Sequence, residues 1–200
     1  MKKIIYFIEF LLVKFLFIIC KFIGYKSASD LGFFIGKNFG NFFRKKKSII
    51  ENLHKSKITI NISDNQFVDN ILGNYGRILT EYPFLKDFRK NKLEHFIKIN
   101  GIENLDNIKN NKMPVVFVSG HFNNFELMAM QIEKHGINLA AIYRPLNNIF
   151  LNRTMEQIRT KYICRYQIRK GRSGTRQILE NLKKGNSIAL MIDQRVTEGI

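Results

Sequence analysis

The sequence predicts an α/β fold, a mostly parallel sheet flanked by helices and led by an N-terminal membrane-anchoring helix. Three observations predict it. The chain opens on a long apolar run. From Leu93 onward, short β-like runs alternate with helical stretches. Strand, helix, strand in that order implies right-handed crossovers between parallel strands. Finally, 200 residues suffice for one buried core without disulfides or metals.

Taken in order, Ile4 to Ile23 is apolar and follows Lys2 and Lys3, with Glu9, Lys14 and Lys21 interrupting it. A bilayer core takes ~20 helical residues, so the run is long enough to span one. Lys3, Lys14 and Lys21 fall on nearly one helical face, the pattern of a helix lying in the interface. No small-residue cleavage site follows. Residues 1–24 are therefore read as a retained membrane anchor, spanning or interfacial. A helix is expected from Ser29 to Lys47, started by Ser29 or Asp30 and ended in the basic run Arg44 to Lys47. Gly32, Gly36 and Gly40 form a stripe on it that lets another helix or a membrane surface approach closely. The cations beyond it meet anionic headgroups or complement the helix dipole. A second helix runs from Asp64 to Glu81 and stops before Pro83.

The expected strands are Leu93 to Ile99, Val115 to Ser119, Ile137 to Tyr143, a weak one at Tyr166 to Ile168, and Ser187 to Ile192. The intervening helices are Ile102 to Asn110, Asn124 to His135, Phe150 to Tyr162 and Ser173 to Lys184. Ser187 to Ile192 is apolar apart from its serine, as suits a strand buried on both faces. It ends close to the last residue, so its outer edge is expected to lie open and the sheet to be incomplete.

In open α/β sheets, ligands collect beyond the carboxyl ends of the strands. Those ends deliver His121, then Arg144, Asn147 and Asn148, then Arg169 and Lys170, and finally Asp193 and Gln194. Glu126 falls in the first turn of the helix after His121. There the dipole favours its ionised form, which can hold one ring nitrogen and leave the other as a base. Such a dyad would take the proton of an attacking hydroxyl without a protein nucleophile. Asp193 serves either as a binding residue or to bond backbone at its strand end.

Gly120-His121-Phe122-Asn123-Asn124-Phe125-Glu126 resembles the G-H-x-G-N-[WF]-E block of the lipid A late acyltransferases, the lauroyl/myristoyl type. Tyr143-Arg144-Pro145-Leu146-Asn147-Asn148 resembles their Y-R-P-x-[DN]-N block, Arg169-Lys170-Gly171 with Lys183-Lys184-Gly185 their basic stretch, and Ile192-Asp193-Gln194 their P-D-[QH] strand end. These blocks occur in family order across most of the chain. The resemblance implies a lysophospholipid/glycerolipid acyltransferase-like fold in residues 25–200, with His121 as base, Glu126 as its orienter and Arg159 steadying the thioester carbonyl. It implies that Arg144 and Asn148 shape the donor and acceptor site, and that Asn124, Asn147, Arg169, Lys170, Asp193 and Gln194 bind substrate. The implied donor is acyl carrier protein and the acceptor a lipid A precursor, met at the cytoplasmic face of an inner membrane; no cofactor is implied. Asn123 stands where the family usually has glycine, Phe125 replaces the commoner tryptophan, and Ile192 replaces proline. The family also continues well beyond this length, so a C-terminally incomplete domain is expected.

The net charge of +17 suits an acidic carrier and an anionic lipid. Related acyltransferases of glycerolipids or phosphatidylinositol mannosides carry N-H-x-x-x-x-D, whereas here Gly120 precedes the histidine and the acid is Glu126. A non-catalytic nucleic-acid binder would interleave aromatics with cations, and the phenylalanines instead concentrate toward the N-terminal half, so no nucleic acid is expected. His135 before Gly136 reads as a helix C-cap, His54 and His95 lack an acid at telling spacing, and Cys164 reads as a packed core thiol. Cys20 and Cys164 suggest no disulfide, and no Cys/His cluster has metal-ligand spacing.

Overall fold

A computed structural model describes residues 1–193, with the side chain of Arg172 left aside. The chain divides into two compact units, one of Met1–Leu11 with Leu85–Ile200 and one of Leu12–Phe84. Helix α1 (Lys2–Ile23) contributes its first residues to the former and the rest to the latter.

In the Leu12–Phe84 unit, α2 (Tyr25–Phe39) packs along α4 (Asp64–Glu81). Ser63 caps α4, its hydroxyl accepting from the Gln66 amide. The glycine stripe makes the helix contact close. A Cβ on Gly36 would come 2.1 Å from the Leu72 carbonyl oxygen, and one on Gly76 would come 1.9 Å from that of Gly32. The partner admitted by the stripe is thus another helix of the same chain. Ser29 and Asp30 do not start this helix, which begins after Gly24. Instead Ser29 donates to the buried Glu81, while Arg77 donates to both Ser29 and Asp30. Nor does α2 continue into the basic run. A 3-10 turn at Gly40–Phe42 ends it, and α3 (Lys46–Ser56) starts anew with its first amide bonded to Asn41 Oδ1. The cations therefore sit at a helix start, which overturns the dipole reading. Lys46 finds Asp69 instead, at 2.8 Å. Ile49, Val68 and Leu72 form the buried cluster where α3 meets α4.

The other unit holds the short α5 (Leu85–Arg89), α6 (Ile102–Asn111), β1 (Val116–Ser119), α7 (Phe125–Lys134), β2 (Leu139–Tyr143), α8 (Ile149–Ile158), β3 (Tyr166–Arg169), α9 (Arg172–Lys183) and β4 (Ser187–Met191). All strand pairs are parallel, in the order β1-β4-β2-β3. β4 is therefore interior, paired with β1 on one side and β2 on the other, and the expected open edge on it is corrected. The apolar composition of β4 reflects this central place: Ile188 and Ala189 are buried. Ala140, Ile168 and Ile188 form a core cluster covered by Ile178 and Leu182 of α9. Leu93 to Ile99 is not a strand but turns through a 3-10 segment at Glu94–Phe96. Leu93, Ile97 and Ile99 share the parity of one strand face, but the Phe96 and Ile97 amides bond back to Leu93 O and Glu94 O, which closes the chain into turns instead.

The predicted anchor exists as a helix, yet no helix among the described residues is long and apolar enough to cross a membrane. The spanning form of that expectation is thereby corrected. Glu9, an interruption in the sequence, accepts a hydrogen bond from Asn148 at 2.9 Å.

Candidate active site

The parallel register aligns the carboxyl ends of the strands: Ser119 lies beside Met191, and Tyr143 beside Arg169. Immediately after β1 the chain turns tightly, with the Phe122 amide bonded back to Gly120 O. Glycine keeps this turn uncrowded, since a Cβ on Gly120 would come 2.9 Å from the exposed Phe122 ring and 3.3 Å from Asp193 Cγ. Asn123 adopts φ 41°, a left-handed conformation that asparagine tolerates better than most residues. This explains physically why glycine would suit the same position.

The carboxylate on the imidazole belongs to Asp193. His121 Nδ1 lies 2.7 Å from Asp193 Oδ1, and the His121 backbone N–H donates to Oδ2 at 2.8 Å. Burial pushes the Asp193 carboxyl upward, but the hydrogen bonds from His121 outweigh it and hold the group below its ordinary range. Asp193 thus bonds the backbone and the ring of His121 at once, and the backbone-bonding role that its strand end suggests is present. The His121 ring also meets Phe125 edge-on, with centroids 4.7 Å apart.

Glu126, where the sequence suggests the orienter of His121, holds Arg159. Its Oε1 accepts from Arg159 Nε at 2.8 Å and lies 2.6 Å from Nη2. Glu126 is buried, and a buried carboxylate is tolerated when a cation with good hydrogen bonds compensates it. Arg159 stands where α8 passes into a π-helical turn, Arg159–Ile163, and its guanidinium lies 5.9 Å from the centre of the Tyr143 ring. Wide turns of this kind re-aim side chains at the end of a helix.

A cavity of about 340 Å³ gathers these groups. His121, Glu126, Arg144, Arg159 and Lys170 line it, together with Phe125, Tyr143 and Gln167 and an apolar floor that includes Ala141, Ile142, Ala189 and Leu190. It brings an imidazole, several cations and an apolar wall into one place.

Other predicted residues fall elsewhere. Asn124 occupies the N-cap position of α7. Asn148 is buried and fully engaged: its oxygen caps α8 through the Phe150 and Leu151 amides, and its nitrogen donates to Tyr6 O and Glu9 Oε2. Its part is to fasten the start of α1 to α8, aided by Phe7 and Phe10 against Phe150. Asn147 lines a separate cavity with Lys2, Lys3, Tyr6 and Ile149. Arg169 donates to the Tyr143 hydroxyl and to Glu156, and the same hydroxyl donates to Glu156. Burial first, then Glu156, raises the Tyr143 phenol. Glu156 escapes a reading of the sequence because it sits mid-helix with no motif around it. Gln194 lies outside the described residues.

Of the remaining histidines, two meet carboxylates and the His95 ring lies against Phe96. His135 is the C-cap residue of α7, as its sequence suggests, but its ring meets Asp106 at 2.8 Å. His54 meets Asp64 at 2.7 Å, a partner its spacing did not reveal. Cys164 is fully buried with Gln167 donating to its sulfur. Among the described residues no group of His, Cys, Asp and Glu could hold a metal ion.

The model of the bacterial lipid A biosynthesis acyltransferase family matches residues 1–199. The chain belongs to that family. A search of curated proteins returned no match. Family membership makes it an acyltransferase of lipid A biosynthesis, in agreement with the sequence blocks that surround the cavity. In this acyltransferase the two carboxylates near the imidazole divide their work. Asp193 fixes the ring, and Glu126 fixes the arginine.

Proposed function

We propose that this acyltransferase moves a fatty acyl group from acyl carrier protein to a hydroxyl of a lipid A precursor, with His121 as general base. The observation that carries the reading is the bond from His121 Nδ1 to Asp193 beside the Glu126-anchored Arg159, in one cavity. With Nδ1–H donated to Asp193, the Nε2 lone pair can accept the proton of the acceptor hydroxyl. The freed oxygen attacks the thioester carbonyl carbon. Arg159 and Arg144, which both line the cavity, supply positive charge for the tetrahedral oxyanion. When that intermediate collapses the C–S bond breaks, and the imidazolium returns its proton to the departing thiolate. No covalent acyl-enzyme is needed, which agrees with the burial of Cys164 and a thiol pushed up to about 12 by burial first and Glu133 next.

The apolar floor of the cavity suits an acyl chain, and the +17 charge suits an acidic carrier. Attachment to the membrane is proposed through α1 lying in the interface. Ile4, Ile8, Leu11, Phe15, Ile18 and Phe22 are all exposed, at the spacing of one helical face. The proposed location is the cytoplasmic face of the inner membrane, where carrier and nascent glycolipid meet. The test is transfer of labelled acyl groups from acyl carrier protein to a lipid A precursor, read by mass spectrometry of the lipid. His121→Ala should lower the rate at least ~10²-fold, the usual worth of a general base. Unchanged turnover in that variant would overturn the mechanism.

A further inference from the structure

Besides the catalytic cavity, the same unit carries an open cavity of about 590 Å³ lined by Lys2, Lys3, Tyr6, Asn147 and Ile149. We propose that it is a subsite for a phosphate ester on a lipid headgroup, and first of all for a phosphate of the lipid acceptor. The acceptor part rests on the function proposed above; the phosphate part does not.

The wall of this cavity is largely apolar, and the charge that borders it points to an anion. Two ammonium groups, a phenol and an amide supply donors, and the cavity wall itself contains no carboxylate. The nearest acid on the same helix, Glu9, is already engaged by Asn148. Lys2 lies over the Tyr6 ring at 6.0 Å, a loose contact that a bound anion can replace. The lysines stand at the amino end of a 22-residue helix, where the macrodipole adds to their charge.

The two helices that border the cavity are tied together. Buried Asn148 spends both its amide hydrogens on Tyr6 O and Glu9, so the first turns of α1 are fixed against the N-terminus of α8. The loop Arg144 to Asn148 joins the two cavities, since Arg144 lines the catalytic one and Asn147 this one. A headgroup phosphate held at Lys2 and Lys3 would therefore set where the rest of the lipid lies along that loop. The exposed apolar face of α1 keeps the site at a lipid surface.

The experiment uses the whole chain and co-sedimentation with phosphatidylcholine vesicles, with or without one-fifth phosphatidic acid as the phosphomonoester probe. Lys2→Gln with Lys3→Gln should lower the phosphatidic-acid-dependent affinity about thirty-fold, each cation near an anionic surface contributing about fivefold. Lys183→Gln with Lys184→Gln, the same charge change at the carboxyl end of α9, should leave that affinity within about twofold, because those residues line neither cavity. Equal losses in the two doubles would overturn the subsite as mere bulk charge. Tight binding of inorganic phosphate alone, abolished by the Lys2 and Lys3 changes, would assign the site to free phosphate and overturn its lipid part. Transfer assays separate the two proposals. The Lys2 and Lys3 double should raise KM for a phosphorylated acceptor about thirty-fold on the same grounds, far more than for its dephosphorylated form. Equal KM changes would overturn the acceptor assignment while acyl transfer stands. Retained vesicle specificity with no turnover by the unaltered chain would sink the acyl-transfer reading and leave the phosphate subsite standing.

Discussion

At the scale of single residues, the division between Asp193 and Glu126 makes separable predictions. Asp193→Asn can still occupy the space beside His121, but its amide can present N–H to Nδ1 and reverse the tautomer. Acyl transfer should fall by ~10²–10⁴ with the melting temperature little changed, as expected for a proton-transfer defect. Arg159→Met should behave differently, because it leaves Glu126 buried without its cation. Loss of one member of a buried pair costs about 3–5 kcal/mol, so this variant should unfold at distinctly lower urea concentration as well as lose activity. Equal stability of the two variants would contradict the assignment. Cys164 supplies a pH test. Its folded thiol is pushed up to about 12 by burial first and by Glu133 next. A raised folded value means the contribution to stability is complete below about pH 9 and is lost as pH climbs toward 12. Iodoacetamide at pH 8 should therefore alkylate Cys164 slowly in the native chain and rapidly in urea, and Cys164→Ala should retain acyl transfer. His121, Glu126 and Asp193 are all legible in the sequence as strand-end or helix-start residues. Their pairing is not, because His121 and Asp193 are 72 positions apart and meet only because β4 lies beside β1.

At the scale of elements, the helices and strands with a single strong period are the ones the sequence gives away. Asp64–Glu81 stands between a serine cap and a proline and is found with the expected bounds. The strands at 116–119, 139–143 and 187–191 likewise fall within the apolar runs that announce them. The break between α2 and α3 is missed because it depends on a side chain, Asn41, capping the new helix through a tertiary turn. The π-helical turn that carries Arg159 is missed because helical periodicity persists through it. The glycine stripe yields a prediction whose sign decides between two effects. An exposed mid-helix Gly→Ala change gains ~1 kcal/mol from backbone entropy. At Gly36 the new methyl would lie 2.1 Å from a backbone carbonyl oxygen that cannot swing away as a side chain would. Overpacking of that kind costs about 1–3 kcal/mol, so Gly36→Ala should be net destabilising in urea unfolding. A gain in stability would show that α2 and α4 have room between them.

At the scale of the whole molecule, charge and exposed apolar surface are what support the proposed attachment along a membrane surface. The chain has an excess of 17 cations over anions at neutral pH and no described helix fit to cross a bilayer. Yet α1 leaves Phe15 63% and Phe22 92% exposed on one face, where water is a poor neighbour for large rings. Deleting residues 1–24 is a blunt test, because it would also strip Asn148 of Tyr6 and Glu9 and uncover Phe150. Phe15→Asp with Phe22→Asp is sharper, since neither ring is buried and neither change touches the Asn148 bonds. Burying a phenylalanine is worth roughly 1.5–3 kcal/mol, so losing two should weaken membrane partition at least ~100-fold. In fractionated cells the double variant should move from the membrane to the soluble fraction, with its helical circular dichroism kept. Raising salt should release the unaltered chain only in part, because screening weakens the cationic contribution and leaves the apolar one. Complete release by salt, or a variant that stays with the membrane, would overturn the proposed attachment through the apolar face of α1.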